Sequence, residues 1–452
     1  MPGWPEVRAL TGRPSIDDDD VEEITTPLIR RVIPSVTDLQ GLEAEGATYS
    51  QTLFNLVNIF IGLGLLSCPY AFKAGGYVSG VLLLTVIAPL FCLSGHLIVA
   101  AFQYLPLTAP RSYPELGKLA LGKHGRKVVA GLAFVELAGG VCMVLLVTWQ
   151  QLLLLVPSQG LLGWSARETA VAISLVWIVP MLFVGKFGHL AVLSRLGLLS
   201  VGLVATVVLA LPVRDPHREQ LPQPPPAHTA LGPSLAQAVG IFAVSLSGHT
   251  TLPALRAGMS RPSQFPAVLR AAFAVMALTY GGVGAAGYWY YGDATAALVT
   301  TNISAAGAWA SSHLDRGLAC LLLVSCATKY PALVLVLQDL LLGLVQGSSP
   351  QARRHPPRPA FLTALRVLLC AASVAASYAA FDAVAGVMAL VGSVASLSCS
   401  LLMPVLFYAL LAWKELGRVA RAGLAALLAL GAVLMVYLTT QNILHLTRAP
   451  HA

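Results

Sequence analysis

A chain of 452 residues that is 56% hydrophobic and only 11% charged, with a mean hydropathy of +0.75, has the balance of a polytopic helical membrane protein and not of a water-soluble domain. The net charge of +8 is no nucleic-acid footprint, because the basic residues sit mostly in short loops between apolar segments. All seven cysteines lie inside apolar segments with no C-x-x-C pair, which favours packing over a disulfide framework, zinc or another metal.

Residues 1–47 differ in kind. Asp17, Asp18, Asp19, Asp20, Glu22 and Glu23 make an acidic run, prolines are scattered, and no apolar stretch nears spanning length. A disordered cytosolic tail is expected, without the basic and apolar regions of a cleavable signal peptide. Thr26-Pro27-Leu28-Ile29 resembles an acidic-dileucine sorting signal with its acid one position off; a plainly solvated tail is the other reading.

Residues 48–77 read TYSQTLFNLVNIFIGLGLLSCPYAFKAGGY, long and apolar enough to cross a bilayer, which takes about 20 helical residues. Gly62-Leu63-Gly64, Ser67 and Pro69 interrupt it, and glycine and proline are the poorest helix formers. A spanning helix opened at mid-depth bares peptide groups that lipid cannot satisfy. Such a break is tolerated only inside protein or against a polar cavity. Ten further apolar stretches follow at 77–104, 128–156, 167–185, 190–213, 231–255, 267–291, 313–345, 360–378, 383–413 and 424–442. They predict an all-α membrane domain of eleven helices over 48–442, then a short lumenal or extracellular tail at 443–452.

Placing the N-terminus in the cytosol puts Arg111, Lys118, Lys123, Arg126, Lys127, Lys186, Arg256, Arg261, Arg353, Arg354, Arg358, Lys414, Arg418 and Arg421 inside. Only Arg167, Arg214, Arg218 and Arg448 then fall outside, the asymmetry that sets orientation. The outer loop 292–312 holds no Lys or Arg but carries Asn302-Ile303-Ser304, a sequon that makes Asn302 a candidate glycosylation site.

The sixth segment contains GIFAVSLSGHTTLPAL, in which Ser245, Ser247, Gly248, His249, Thr250, Thr251 and Pro253 crowd the second half. It is again an interrupted helix, five segments after the first. If segments one to five and six to ten form inverted repeats, the two breaks are equivalent and face each other, the arrangement of a secondary-transporter site. Half-helix N-termini offer amides to an anion and half-helix C-termini offer carbonyls to a cation. A zwitterion such as an amino acid matches both. Small residues allowing close helix packing are the competing reading of Gly62, Gly64, Ser247 and Gly248.

Asn58, Gly62-Leu63-Gly64-Leu65-Leu66-Ser67-Cys68-Pro69-Tyr70 and Gly75-Gly76-Tyr77 resemble the first-helix signature of the amino acid/auxin permease family. Residues Ser112 to Gly117, Gly122 to Arg126, Ser247-Gly248-His249 with Pro253, Met259 to Pro266, and Thr328-Lys329-Tyr330 resemble its later motifs. The likeness runs over about residues 48–440, nearest to the vacuolar amino-acid transporters, with the vesicular inhibitory amino-acid transporter as a cousin. It implies a LeuT-like fold of two five-helix inverted repeats plus an eleventh helix, helices 1 and 6 broken. It also implies proton-coupled transport of neutral amino acids across a vacuolar, lysosomal or vesicle membrane. By position, the amides of Leu63, Gly64 and Leu65 would take the substrate carboxylate, and carbonyls near Phe60, Ile61 and Ser245 the amine. Asn58 would steady the unwound turn or make a helix–helix hydrogen bond.

Ionisable groups inside spanning segments are costly and face the bundle interior. By the same resemblance Lys329, mid-way along the eighth segment, would stand where LeuT-like sodium symporters hold a sodium ion; it is either a proton-coupling group or a permanently charged, paired or snorkelling lysine. His249 is either a proton-linked switch or a hydrogen-bonded core histidine. Glu136 is placed to accept a proton or to pair with Lys329. The expected partners are an amino acid, protons and the bilayer, with no nucleic acid, no cofactor, and the monomer as working unit. No enzyme motif competes: Gly-x-Ser-x-Gly, His-Glu-x-x-His and a phosphate-binding loop are all missing. A sodium-coupled symporter, or an amino-acid sensor signalling through the acidic tail, is the alternative.

Overall fold

The computed structural model describes residues 46–62, 64–106, 112–181, 198–210, 227–306, 312–346 and 358–448. The acidic run, the sorting-signal resemblance, Leu63 and the loop residues Arg111, Lys186, Arg214, Arg218, Arg353 and Arg354 lie outside the described residues. Within them the chain is helical, apart from a bridge between Ala47 and Met259. Seven helices are long and apolar enough to span a membrane, or eight when the bent first pair counts as one. Of the fourth and fifth expected spans the described residues include the helices Ala166–Met181 and Leu198–Ala210, and the sixth is two short pieces.

The first span is α1 (Tyr49–Phe60) and α2 (Gly64–Gly75), bent by 57°. Thr48 starts α1 with a capping box: its hydroxyl accepts from the Gln51 amide at 3.4 Å, and the Gln51 side chain accepts from the Thr48 amide at 2.9 Å. Ile61 leaves helical geometry (φ −73°, ψ 95°) and ends α1. The interruption is narrower than the glycine–proline run suggests, because α2 runs unbroken through Ser67 and Pro69. Pro69 sits in the second turn of α2, and its ring packs where Gly287 leaves room, 2.6 Å from a Cβ built there.

Helix α3 (Tyr77–Ala101) returns to the face where the chain enters, here the entry face. Helix α4 (Tyr113–Leu153) crosses back after a kink at Gly122, whose φ of +73° suits glycine. Glu115 pairs across that kink with Arg126 at 3.3 Å, and on its own side of it with Lys118 at 3.8 Å. Next come α5 (Ala166–Met181), α6 (Leu198–Ala210), α7 (Leu235–Ser245) and α8 (Leu252–Ala257). Helices α9 (Phe265–Tyr291), α10 (Val299–Ala306), α11 (Ser312–Gln346), α12 (Pro359–Ala379), α13 (Val384–Leu411) and α14 (Arg418–Arg448) complete the bundle.

Two features position the site. Helix α13 winds as wide π-helical turns over Gly392–Ser396 and Ser398–Leu402, geometry that is rare and marks functional positions. There Gly240 of α7 and Gly392 of α13 bring their backbones into direct contact, leaving no space for a Cβ on either. The second feature is the segment around α10, which covers the opposite, far face. Ser67 donates to the Ala297 carbonyl at 2.8 Å, Lys73 to the Thr295 carbonyl at 3.0 Å, and Gln151 to the Thr300 hydroxyl at 2.9 Å. It is thereby fastened to α2 on one side and α4 on the other. Helix α14 lies at the periphery with Val433, Val436 and Tyr437 exposed, and its buried Asn442 donates to the Ala236 and Ala389 carbonyls at 3.3 and 3.2 Å.

Candidate functional site

The second interruption follows α7. After Ser245 the helix ends, Gly248 takes φ +150°, and a 3-10 turn over His249–Thr251 leads into α8. Both breaks therefore fall where glycine and small polar residues predict them, and they meet. A Cβ on Gly64 would lie 2.7 Å from Cβ and 2.9 Å from Cα of Ser245. One built on Gly248 would lie 3.1 Å from the Phe60 ring. The competing reading, close packing through small residues, is thus also true here: the small residues let two unwound turns touch.

Side chains from outside the broken pair reach this junction. Lys329 of α11 brings its Nζ to 3.4 Å from a Cβ built on Gly62. It is half-buried, and no ion pair joins it to an acid among the described residues. Its neighbour is the thiol of Cys326. Glu136 of α4 faces the second break: its carboxyl lies beside the Ser247 hydroxyl, the Ser396 hydroxyl and the Cys399 thiol. Its Oε1 is shut from solvent without a hydrogen-bond partner, as is the Ser396 hydroxyl. The pairing of Glu136 with Lys329 does not form. A basic group thus stands at one break and an acidic group at the other.

His249 is fully buried, edge-on to Phe60 and Phe91 at ring distances of 6.3 and 5.6 Å. Its Nε2–H donates to the Phe91 carbonyl at 2.8 Å with Ser94 Oγ at 3.0 Å, while Nδ1 has no partner. Ser94 in turn donates to the Ser400 carbonyl in the π-helical stretch, at 2.5 Å. The Cys399 carbonyl beside it accepts from the Tyr113 hydroxyl.

Of the remaining expected contacts, Phe60 and Ile61 are buried at the end of α1, and Asn58 is half-buried one turn earlier. The Leu65 amide makes a long bond of 3.2 Å to the Gly62 carbonyl within the turn. The Ser245 and Ser247 hydroxyls donate back to Ile241 and Val244 at 2.6 and 3.1 Å. Asn302 lies apart on α10, its side chain accepting from the Ala296 amide at 2.7 Å and donating to the Ala294 carbonyl at 2.9 Å. A cavity of about 200 Å³ is also apart, near the entry face between α3 and α8, lined by residues including Val99, Phe102, Pro253 and Arg256.

One contributor went unnoticed in the sequence. Tyr280 of α9 is fully buried, and its hydroxyl lies 2.7 Å from the Phe60 carbonyl and 3.0 Å from the Ser245 carbonyl. A buried tyrosine hydroxyl needs a partner, so a tyrosine amid the apolar run of the seventh segment was the available signal.

The sequence profile of a family described as transmembrane amino acid transporter protein matches residues 45–444. Amino acid transporter AVT1E of Arabidopsis thaliana is 28% identical over 405 residues, 87% of this chain and 74% of that one. AVT1C of the same plant is 26% identical over 264 residues, 58% of this chain but only 47% of its own length. AVT1J is 24% identical over 437 residues, 92% of this chain and 95% of that one. A solved structure of a Na+-coupled sialic acid symporter overlaps 88% of this chain and 98% of that chain at 12% identity with a TM-score of 0.42; at that score the overlap carries no argument, and the fold rests on the helices themselves.

Proposed function

The chain belongs to the transmembrane amino acid transporter family, and from that premise we propose that it carries an amino acid across an endomembrane, driven by a proton gradient. The observation that carries the reading is the junction itself: two interrupted helices in contact, Lys329 beside one gap and Glu136 beside the other. A zwitterion lies across it with its carboxylate toward the Gly64 amide, the neighbouring Leu63 and the Lys329 ammonium. The Phe60 and Ser245 carbonyls already receive Tyr280, so Glu136 is the stronger partner for the substrate amine. Paired charges of opposite sign favour a net-neutral zwitterion over an anion or a cation, which supports a neutral amino acid as cargo.

The architecture behind this proposal is the full set of eleven helices with five-helix inverted repeats, N-terminus in the cytosol. Lys329 and Glu136 are the proton-exchanging groups, because each faces a break without a salt-bridge partner among the described residues. His249 takes the structural role its Phe91 bond supports. The test is purified protein in liposomes with a pH gradient of either sign and a panel of labelled amino acids. Accumulation is expected to follow the pH gradient; accumulation that requires sodium and ignores pH overturns the coupling. No accumulation of any amino acid under either gradient overturns the carrier.

A further inference from the structure

A helix ends on carbonyls that lack an intrahelical partner and carry the negative pole of the helix dipole. Two such ends converge here. The Phe60 carbonyl is the last of α1, the Ser245 carbonyl the last of α7, and both point at one atom, the Tyr280 hydroxyl, at 2.7 and 3.0 Å. The Gly62 amide in the gap faces the same phenolic oxygen. Half-helix carbonyl ends that meet near mid-membrane are where carriers bind a monovalent cation. At this point the chain places the positive end of an O–H dipole, tethered by a covalent ring.

Packing sets its depth. Gly284 and Gly287 lie one and two turns beyond Tyr280 on α9 and let that helix press against Phe72 and Pro69 of α2, where a Cβ would come within 2.5 and 2.6 Å. The ring cannot withdraw without moving the helix. A tyrosine kept only for bulk needs one hydrogen-bond partner, whereas this hydroxyl spans carbonyls from two different helices. It shares a single proton between them, which leaves the oxygen-lined point incompletely satisfied and able to hold something more positive.

We propose that the Tyr280 hydroxyl is a positioning group that permanently replaces a coupling cation between the two broken helices. It fixes the separation of the half-helix ends and excludes sodium from that point of the cycle. The inference deepens the carrier reading and rests on it for its flux measurement only.

The decisive variant is Tyr280→Phe, which keeps the ring and bares both carbonyls. Uptake in liposomes at a fixed pH gradient is compared in sodium, lithium, potassium and choline chloride. The wild-type protein is expected to be indifferent to the salt. The variant is expected to lose about tenfold in choline, the size of one buried hydrogen bond, and to recover in sodium or lithium. In parallel, the thermal midpoint of the purified variant is expected to rise in sodium chloride over choline chloride of equal ionic strength, with no such rise for wild type. Equal loss in every salt, wild-type dependence on sodium, or a variant that unfolds equally in sodium and choline overturns the proposal. Should wild type carry no amino acid at all, the carrier reading fails, and the thermal comparison alone decides the role of Tyr280.

Discussion

At the first break the Lys329 ammonium lies beside Gly62; at the second the Glu136 carboxyl lies beside Ser247, whose own hydroxyl donates to the Val244 carbonyl. The openings themselves are alike, each a gap of a few residues with glycine in it. What differs is what fills them. A cation arrives at the first from α11, and an acid arrives at the second from α4, flanked by the wide turns of α13. Neither group belongs to the broken helices, so the polarity of the junction is imposed by the surrounding helices on two similar gaps. The lesson is a division of labour: the broken pair supplies peptide dipoles, and the rest of the bundle supplies net charge.

The largest effect is expected from collapsing that contact. Gly64→Val places branched carbons where Ser245 already stands within 2.9 Å of a single Cβ. Overpacking of this kind costs about 1–3 kcal/mol, and the backbone shift that relieves it separates the breaks. Uptake should vanish while membrane insertion, read by protease protection, persists; uptake at the wild-type rate would mean that the two gaps need not touch. Lys329→Met comes next. It removes the cation from the first break alone, so gradient-driven accumulation should be lost and exchange of labelled for unlabelled substrate should remain. Unchanged concentrative uptake would retire the lysine from coupling.

Glu136→Gln is the matching change at the second break. It keeps size and hydrogen bonding but removes the negative charge, so two outcomes are expected together: a raised KM, from loss of the partner for the substrate amine, and a flattened response to the imposed pH gradient. A raised KM with the pH response intact would split those roles and assign proton exchange to Lys329 alone. Combining both changes sharpens the comparison further. If the two charges act on one bound zwitterion, the double variant should lose less than the product of the single losses, because neighbours in one site are not additive.

Much of this was readable from residue types. Gly62, Gly64 and Gly248 mark the breaks because glycine opens a helix, and the first break is narrower than expected because α2 continues through Ser67 and Pro69. Lys329 was legible because a cation in an apolar segment must find a polar surface. Tyr280 was not, since a phenol is cheap to bury and its partners are backbone carbonyls that no side-chain pattern reveals. The π-helical turns of α13 were hidden too: Gly392-Ser393-Val394-Ala395-Ser396 reads as an ordinary small-residue helix. The grip of α10 was missed because its eight residues are too few and too polar to register as a span.

The smallest expected effect tests the orientation on which any account of proton direction depends. Asn302 lies on α10 at the far face, and its side chain bonds to Ala294 and Ala296, so Asn302→Gln would disturb the turn as well as the sequon. Ser304→Ala removes the sequon while leaving the asparagine in place, and is the cleaner change. If the far face is lumenal, the wild-type chain from a glycosylating cell should migrate faster after endoglycosidase treatment, and the Ser304→Ala chain should already migrate at that position with uptake retained. A sequon moved instead into the entry-face segment between α3 and α4 should stay unmodified. Modification there, with none at Asn302, would invert the membrane topology and with it the direction of the proposed proton coupling.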